Sequence, residues 1–354
     1  MGRRFWIGLA LYTVFHVYVW WRLVLPLPSP TWQIGTAILA LLAPSFPIIM
    51  RIRRRFTREG GRPWLIVGYV WLGFILYLLL GALASHVAVA FGANVQRAAQ
   101  ICSAIAIAIV VAGLVNVALG PVVRRVRVPL PKLPVESYTI VQLTDVHVGA
   151  LIGREFAAEV VRRVNALQPD LIVITGDLID GRLSELRPHI EPLRDLRARD
   201  GVFAVTGNHE YYWNVEAWLE HLRSLGIRVL RNEHVTIAGA LQLAGVDDAS
   251  FGEDVPRAVA GRDPALPLVL LAHHPRTLER AIGAGVDLQL SGHTHGGQLL
   301  PFGWLARIWD PLVAGLKRFD GTWLYVSEGT GFWGPPLRVG TRCEIAALTL
   351  SPRG

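Results

Sequence analysis

Apolar positions along this chain follow two regimes. Up to about residue 120 they run almost without interruption; from residue 138 on they come in short runs that stop at polar residues. In the first regime, stretches near 5–25, 31–50, 64–85 and 99–119 are long enough to cross a bilayer as helices. No amphipathic period interrupts their Leu, Val and Ala runs, so buried helices of a soluble protein are the poorer account. Trp20, Trp21 and Arg22 follow the first stretch where a cleavable signal peptide needs small residues. Pro44 and Pro47 fall inside the second, which predicts a kink or a shorter re-entrant element. The expectation is a four-helix transmembrane domain over residues 1–120. Residues 121–137, with Pro121, Pro129, Pro131, Pro134 and several arginines, read as a stiff linker.

The second regime alternates. Helical stretches are expected near 153–168, 184–199 and 214–225. Strands are expected near 138–144, 170–175, 201–206, 227–231, 241–246, 267–272, 287–291, 323–327 and 344–350. Alternation of this kind implies an α/β domain with parallel strands under helices, and the strand-rich later part suggests a second sheet. No internal repeat or low-complexity segment is present.

Charge divides the chain in the same place. Residues 1–137 hold 14 Lys/Arg against 2 Asp/Glu; residues 138–354 hold 21 against 25. The formal charge of +8 therefore belongs to the first half, and no nucleic-acid partner is expected for the mildly acidic second half. Arg3 and Arg4 precede the first apolar stretch. Arg51, Arg53, Arg54, Arg55, Arg58 and Arg62 lie between the second and third, and Arg124, Arg125, Arg127 and Lys132 follow the fourth. The opposite loops carry little beyond Arg22 and Arg97. The positive-inside rule then puts both termini and the second half in the cytoplasm, with the arginines facing anionic headgroups. The lipid bilayer is the expected partner, in a bacterial-type inner membrane. Two cysteines, Cys102 and Cys343, argue against a disulfide framework or a thiolate metal site.

Chemistry gathers where the apolar runs stop. Ile140–Leu143 leads to Asp145 and His147. Leu171–Ile174 leads to Gly176 and Asp177. Val202–Val205 leads to Gly207, Asn208, His209 and Glu210. Leu268–Leu271 leads to His273, His274 and Pro275. Val286–Leu290 leads to Gly292, His293, Thr294 and His295. Residues at i and i+2 of an extended segment point the same way, so the last two imidazoles can face one centre. Ligands of α/β sheets collect at such strand ends.

The ordered set Asp-x-His, Gly-Asp, Gly-Asn-His-Glu, His and Gly-His-Thr-His resembles the calcineurin-like metallophosphoesterases. With Gly296, Gly297 and Gln298 after the last pair, it is similar to their membrane-associated bacterial branch. The resemblance covers about residues 138–351 and implies a four-layer αββα sandwich. It implies that Asp145, His147 and His295 hold one metal, that Asn208, His273 and His293 hold a second, and that Asp177 bridges them. It further implies a metal-bridging hydroxide as nucleophile and His209 as the general acid that protonates the leaving group. Mixed oxygen and imidazole donors suit two divalent ions of Mn, Fe, Zn or Co rather than Ca or Mg.

Several residues carry two readings. His274 competes with its neighbour, and spacing before Pro275 favours His273. Glu210 either orients its neighbour or caps a helix. Arg338 either touches substrate phosphate or forms a structural salt bridge. Tyr211, Tyr212, Trp213, Trp304, Trp309, Phe332 and Trp333 follow the polar motifs. They either rim the metals and admit a lipid-linked phosphoester, Trp304 among the substrate contacts, or pack as the core of a lid. The expected function is a membrane-bound dinuclear-metal phosphodiesterase acting on a phospholipid, a lipid-linked nucleotide or a small phosphoester. The alternatives are a tethered phosphoesterase for soluble nucleotides and a non-catalytic membrane sensor or scaffold. Oligomeric state, native metal pair and physiological substrate leave no mark in the sequence.

Overall fold

The computed structural model describes residues 3–52, 58–308, 310 and 312–352. They form two compact units. One comprises Met1–Ala118 together with Gly334–Val339; the other comprises Leu119–Trp333 and Gly340–Gly354.

The first unit is helical: α1 (Arg3–Val19), a π-helical turn (Trp20–Val24), α2 (Thr31–Leu42), α3 (Ser45–Ile52), α4 (Arg58–Ala90) and α5 (Val95–Ala118). Four helical stretches are long and apolar enough to cross a membrane: Trp6–Val24, Thr31–Met50, Gly61–Ala90 and Val95–Ala118. The second breaks at Ala43–Pro44, because proline cannot donate the backbone hydrogen bond that would continue α2. Arg22, expected in a loop, instead lies in the π-helical turn and is buried. Residues 334–339 join this unit through hydrogen bonds to the Arg338 backbone: Arg338 N–H donates to Gly113 O (3.3 Å), and the Asn116 side-chain Nδ2 donates to Arg338 O (2.9 Å).

The second unit holds two six-stranded sheets. The strands are β1 (Val122–Pro129), β2 (Tyr138–Leu143), β3 (Leu171–Thr175), β4 (Val202–Val205), β5 (Arg228–Val229), β6 (Glu233–Ile237), β7 (Leu241–Gly245), β8 (Leu268–Leu271), β9 (Leu288–Ser291), β10 (Gly315–Phe319), β11 (Thr322–Val326) and β12 (Glu344–Ser351). One sheet runs β1-β12-β2-β3-β4-β5 and the other β10-β11-β9-β8-β7-β6. In the first, only β12 and β2 pair antiparallel; in the second, the two outer hairpins are antiparallel and the central strands parallel. The helices are α6 (Arg154–Asn165), α7 (Leu183–Ile190), α8 (Asn208–Tyr212), α9 (Val215–Ser224), α10 (Val255–Ala258), α11 (Leu278–Gly283) and α12 (Phe302–Ala306).

Period-two alternation builds the layers. Leu243, Val269 and Leu271 face Ile140, Leu171, Val173, Phe203 and Leu348 in the core shared by both sheets. Their neighbours Ala244, Leu268 and Leu270 face the other way, onto Val255 and Ala258 of α10 and Ala281 of α11. Both faces of the central strands are therefore covered, as unbroken apolar runs require. Each of the buried Leu, Ile, Val and Phe side chains stabilises the fold by roughly 1.5–3 kcal/mol.

The stretch 121–137 is not a linker throughout. Val122–Pro129 is an edge strand, parallel to β12 with Val122 opposite Glu344 and Pro129 opposite Ser351. Its prolines lie at the strand's border and end, where edge strands tolerate them. Arg124 sits 3.6 Å from both Glu328 and Glu344, so the arginines decorate a sheet edge.

Candidate metal centre

Five parallel strands end at one place. β2 leads to Asp145 and His147, β3 to Asp177, and β4 to Asn208 and His209 at the start of α8; these belong to one sheet. β8 leads to His273, and β9 to His293 and His295; these belong to the other. Buried Gln142 ties the sheets below the site, with Nε2 3.0 Å from Ser291 O and 2.8 Å from Thr175 Oγ1. The loops also hold one another: Asp145 N–H donates to Gly176 O, His147 N–H to Asp177 O, and Gly292 N–H to His273 O.

Asp145, His147, Asp177, His293 and His295 all have positive φ, between 50° and 70°. Non-glycine residues rarely adopt this left-handed region, at a cost on the order of 1 kcal/mol or more each, and they persist there where function demands it. Glycines let the loops close. A Cβ on Gly207 would collide with the Asp177 carboxylate, and one on Gly292 with Thr144 Oγ1 and Asp145 Oδ2.

The donor atoms converge. His295 Nε2 lies 3.3 Å from Asp145 Oδ1 and 3.1 Å from His147 Nε2. His273 Nε2 lies 3.2 Å from Asp177 Oδ2 and 3.3 Å from His293 Nδ1. Between each pair of facing imidazole nitrogens a proton or a cation must sit. Asp145, His147 and His295 form one potential metal-holding group; Asp145, Asp177 and His273 form another, and His147, Asp177 and His209 a third. Asn208 offers a buried Oδ1 that accepts no hydrogen bond. These features fit divalent cations: two carboxylates and several imidazoles converge in one buried cluster.

Electrostatics point the same way. Burial holds the His147 imidazole down at about 3. Burial and then the charge of His273 hold His293 down at about 2, so both keep lone pairs free. Burial works against ionisation of Asp177, yet His273 beside it holds its carboxyl well below the usual range. Conversely, burial disfavours protonated His273, but Asp177 outweighs it and pushes the imidazole up to about 10. The carboxylates are oriented by amides: His293 N–H lies 3.0 Å from Asp145 Oδ2, and His209 N–H 2.9 Å from Asp177 Oδ1.

His209 stands at the edge, Nε2 3.9 Å from Asp177 Oδ2. Its Nδ1 is 3.4 Å from Asp180 Oδ1, which Trp213 Nε1 also reaches at 3.1 Å. Burial lowers the His209 pKa, but Asp180 and Asp177 more than offset this and raise it above the ordinary value. Glu210 is buried and accepts from the backbone N–H groups of Gly207 (2.7 Å), Asp177 (3.0 Å) and Leu178 (2.8 Å). It staples the Asn208 loop to the Asp177 loop. His274 turns to Asp248, Nε2 to Oδ2 3.0 Å, with its ring 3.7 Å from that of His293. It also groups with His273 and His293 as a potential metal-holding set.

Asp180 and Asp248 escaped the sequence reading. Asp248 follows β7 as the other tips follow their strands, and the same signal would have found it. Asp180 lies three residues past Asp177 and carries no comparable mark. Arg338 is buried within the helical unit. Of the aromatics, Tyr212, Trp304 and Trp333 are more than half exposed, while Phe332 is buried; Trp309 lies outside the described residues. The rings of Tyr212 and Trp333 lie 5.2 and 6.1 Å from that of His209.

Paired α/β sheets with an Asp/His cluster at their strand tips define a protein able to hold divalent metal. The family model described as calcineurin-like phosphoesterase matches residues 138–297. A transmembrane protein with metallophosphoesterase domain from Bos taurus is 42% identical over 263 residues, covering 68% of this chain and 59% of that protein. A metallophosphoesterase of Helicobacter pylori is 38% identical over 66% of this chain and 65% of its own length. One from Aquifex aeolicus is 37% identical over 61% of this chain and 85% of its own length. The chain belongs to the calcineurin-like metallophosphoesterases. It spans about three fifths of the cattle relative.

Proposed function

We propose that this chain is an integral membrane phosphodiesterase that uses two divalent cations drawn from Mn, Fe, Zn and Co. Asp145, His147 and His295 hold one cation, Asn208, His273 and His293 the other, and Asp177 both. The observation that carries this reading is the approach of Asp145 to His295 and of Asp177 to His273, within 3.3 Å in each pair, from two different sheets. When bound at these residues, divalent cations would supply Lewis acidity toward the phosphoryl oxygens and toward water.

This chain's own residues supply the rest. His209, held protonated by Asp180, gives its Nε2 proton to the leaving oxygen. Asp180 is a positioning residue: it fixes the ring and its tautomer through Nδ1. Glu210 keeps the Asn208 and Asp177 loops in register. The exposed rim of Tyr212, Trp333 and Trp304 is apolar rather than basic, which favours a phospholipid or lipid-linked nucleotide over nucleic acid. Arginines 51–62 support a cytoplasmic catalytic unit in a bacterial-type plasma membrane.

The test is turnover by the full chain in detergent, stripped of metal and reloaded with Mn, Fe, Zn or Co. The substrates are bis(p-nitrophenyl) phosphate, p-nitrophenyl phosphate and micellar phospholipid. The proposal expects metal-dependent cleavage of diesters above monoesters, with lipid among them. Failure to cleave any diester under every metal would sink it.

A further inference from the structure

Among the described residues, the helical unit contains a buried cation with no ion pair. Arg22, in the π-helical turn that closes the first span, is 7% exposed. Its Nη2 donates to Ser85 O at 2.7 Å. Among the described residues its buried Nε has no hydrogen-bond partner, and the hydroxyl of fully buried Ser85 has none either. The residues that make up this unit include one acid, Glu59. Glu59 lies 26 positions before Ser85 on α4, about 39 Å along the axis at 1.5 Å per residue. An ionised side chain inside a set of spans is costly, and such groups mark binding or transport. π-Helical turns recur at such places because they shift one residue out of the regular ladder.

The level of this pair within the spans narrows the ligand. Arg22 lies two residues before the end of the first span and Ser85 five before the end of the third, so both sit toward the same end. Aromatic side chains mark that end. Trp20 Nε1 donates to Thr36 Oγ1 (2.9 Å), Tyr18 OH lies 3.2 Å from His86 Nδ1, and Trp21 lies against the His86 ring. Trp and Tyr collect at the depth of lipid headgroups. Two buried donors beside an uncompensated guanidinium call for an anion with at least two acceptor oxygens, and phosphate suits arginine best.

We infer that Arg22 and Ser85 form a binding site for a phosphate-bearing anion, either a phospholipid headgroup or free phosphate. This site is separate from the Asp/His centre and does not depend on its chemistry.

The test follows the melting temperature of the delipidated full chain in detergent. It is titrated with phosphatidylglycerol, with inorganic phosphate and with a phosphate-free galactolipid. The expected result is a rise with phosphatidylglycerol or phosphate and none with galactolipid; whichever of the first two acts identifies the source. Arg22→Gln weakens half-saturation by about tenfold or more. Arg97→Gln, which removes an exposed charge at the start of the fourth span, leaves it unchanged. Should Arg22→Gln fail to fold, Ser85→Ala keeps the cation and weakens half-saturation by about threefold or more. Equal half-saturation in wild type and the Arg22 or Ser85 variant overturns the inference, as does an equal rise with galactolipid.

Discussion

The two sheets bring different chemistry to the same place. The sheet of β2, β3 and β4 presents Asp145, Asp177, the amide of Asn208 and the imidazoles of His147 and His209. The tips of β8 and β9, in the other sheet, present imidazoles. The first set carries charge that needs holding in place, and backbone amides hold it: Asp177 accepts from His209 N–H, and Asp145 from His293 N–H of the opposite sheet. In the second set burial keeps His293 neutral, while Asp177 of the opposite sheet favours the protonated form of His273. Charge and lone pairs meet only when the sheets are packed, so cation affinity and sheet packing are thermodynamically linked.

The comparison breaks most directly at the carboxylates. Asp177→Asn removes the one group shared by both proposed cation sets. Diester turnover is expected to fall by about a thousandfold, roughly 4 kcal/mol of barrier. A fall as small as that of a single imidazole variant would deny the carboxylate side its special place.

Next comes the packing between the sheets. Leu243→Ala opens a cavity in the shared core, on β7, which leads to none of the proposed ligands. The expected loss is roughly 2–5 kcal/mol of stability, seen as a lower melting temperature. Linkage adds a second expectation, a rise in the Mn concentration needed for half-maximal activity. Unchanged metal dependence in a destabilised variant would uncouple site from packing.

A smaller effect separates the acid from the cation ligands. Asp180→Asn is expected to lower turnover by about 10–100-fold while leaving metal content intact. The sign of its pH effect follows from His209, whose pKa is raised because Asp180 and Asp177 outweigh burial. Without Asp180 that pKa drops, the protonated acid is lost at lower pH, and the alkaline limb of kcat moves down. An unmoved limb would remove Asp180 from the mechanism. Smallest is the rim: Trp304→Ser should lower the ratio of micellar to soluble diester turnover by about tenfold or less. An unchanged ratio would leave the aromatics as packing alone.

Much of this was legible before the fold. Unbroken Leu, Val and Ala runs marked the four spans, and alternating runs marked the central strands, because burial on one or two faces writes itself into the sequence. The polar tips were equally plain, since Asp and His directly after an apolar run have few other uses. What stayed hidden was what depends on distant partners. β1 looked like a linker because its prolines lie at the strand's border and end and its register comes from β12, more than 200 residues later. β6 and β10 are outer strands with exposed positions and weak apolar content. Glu210 gave no sign that it accepts three or more backbone amides, for those amides come together only in the folded loops.

The central claim is that residues from two sheets grip a pair of cations. Metal content of the full chain, purified from cells and dialysed, tests it most directly. The account predicts about two equivalents of divalent transition metal per wild-type chain, and close to none in Asp177→Ala, which stays folded by circular dichroism. Less than one equivalent in the wild type, or undiminished metal in the variant, would contradict it.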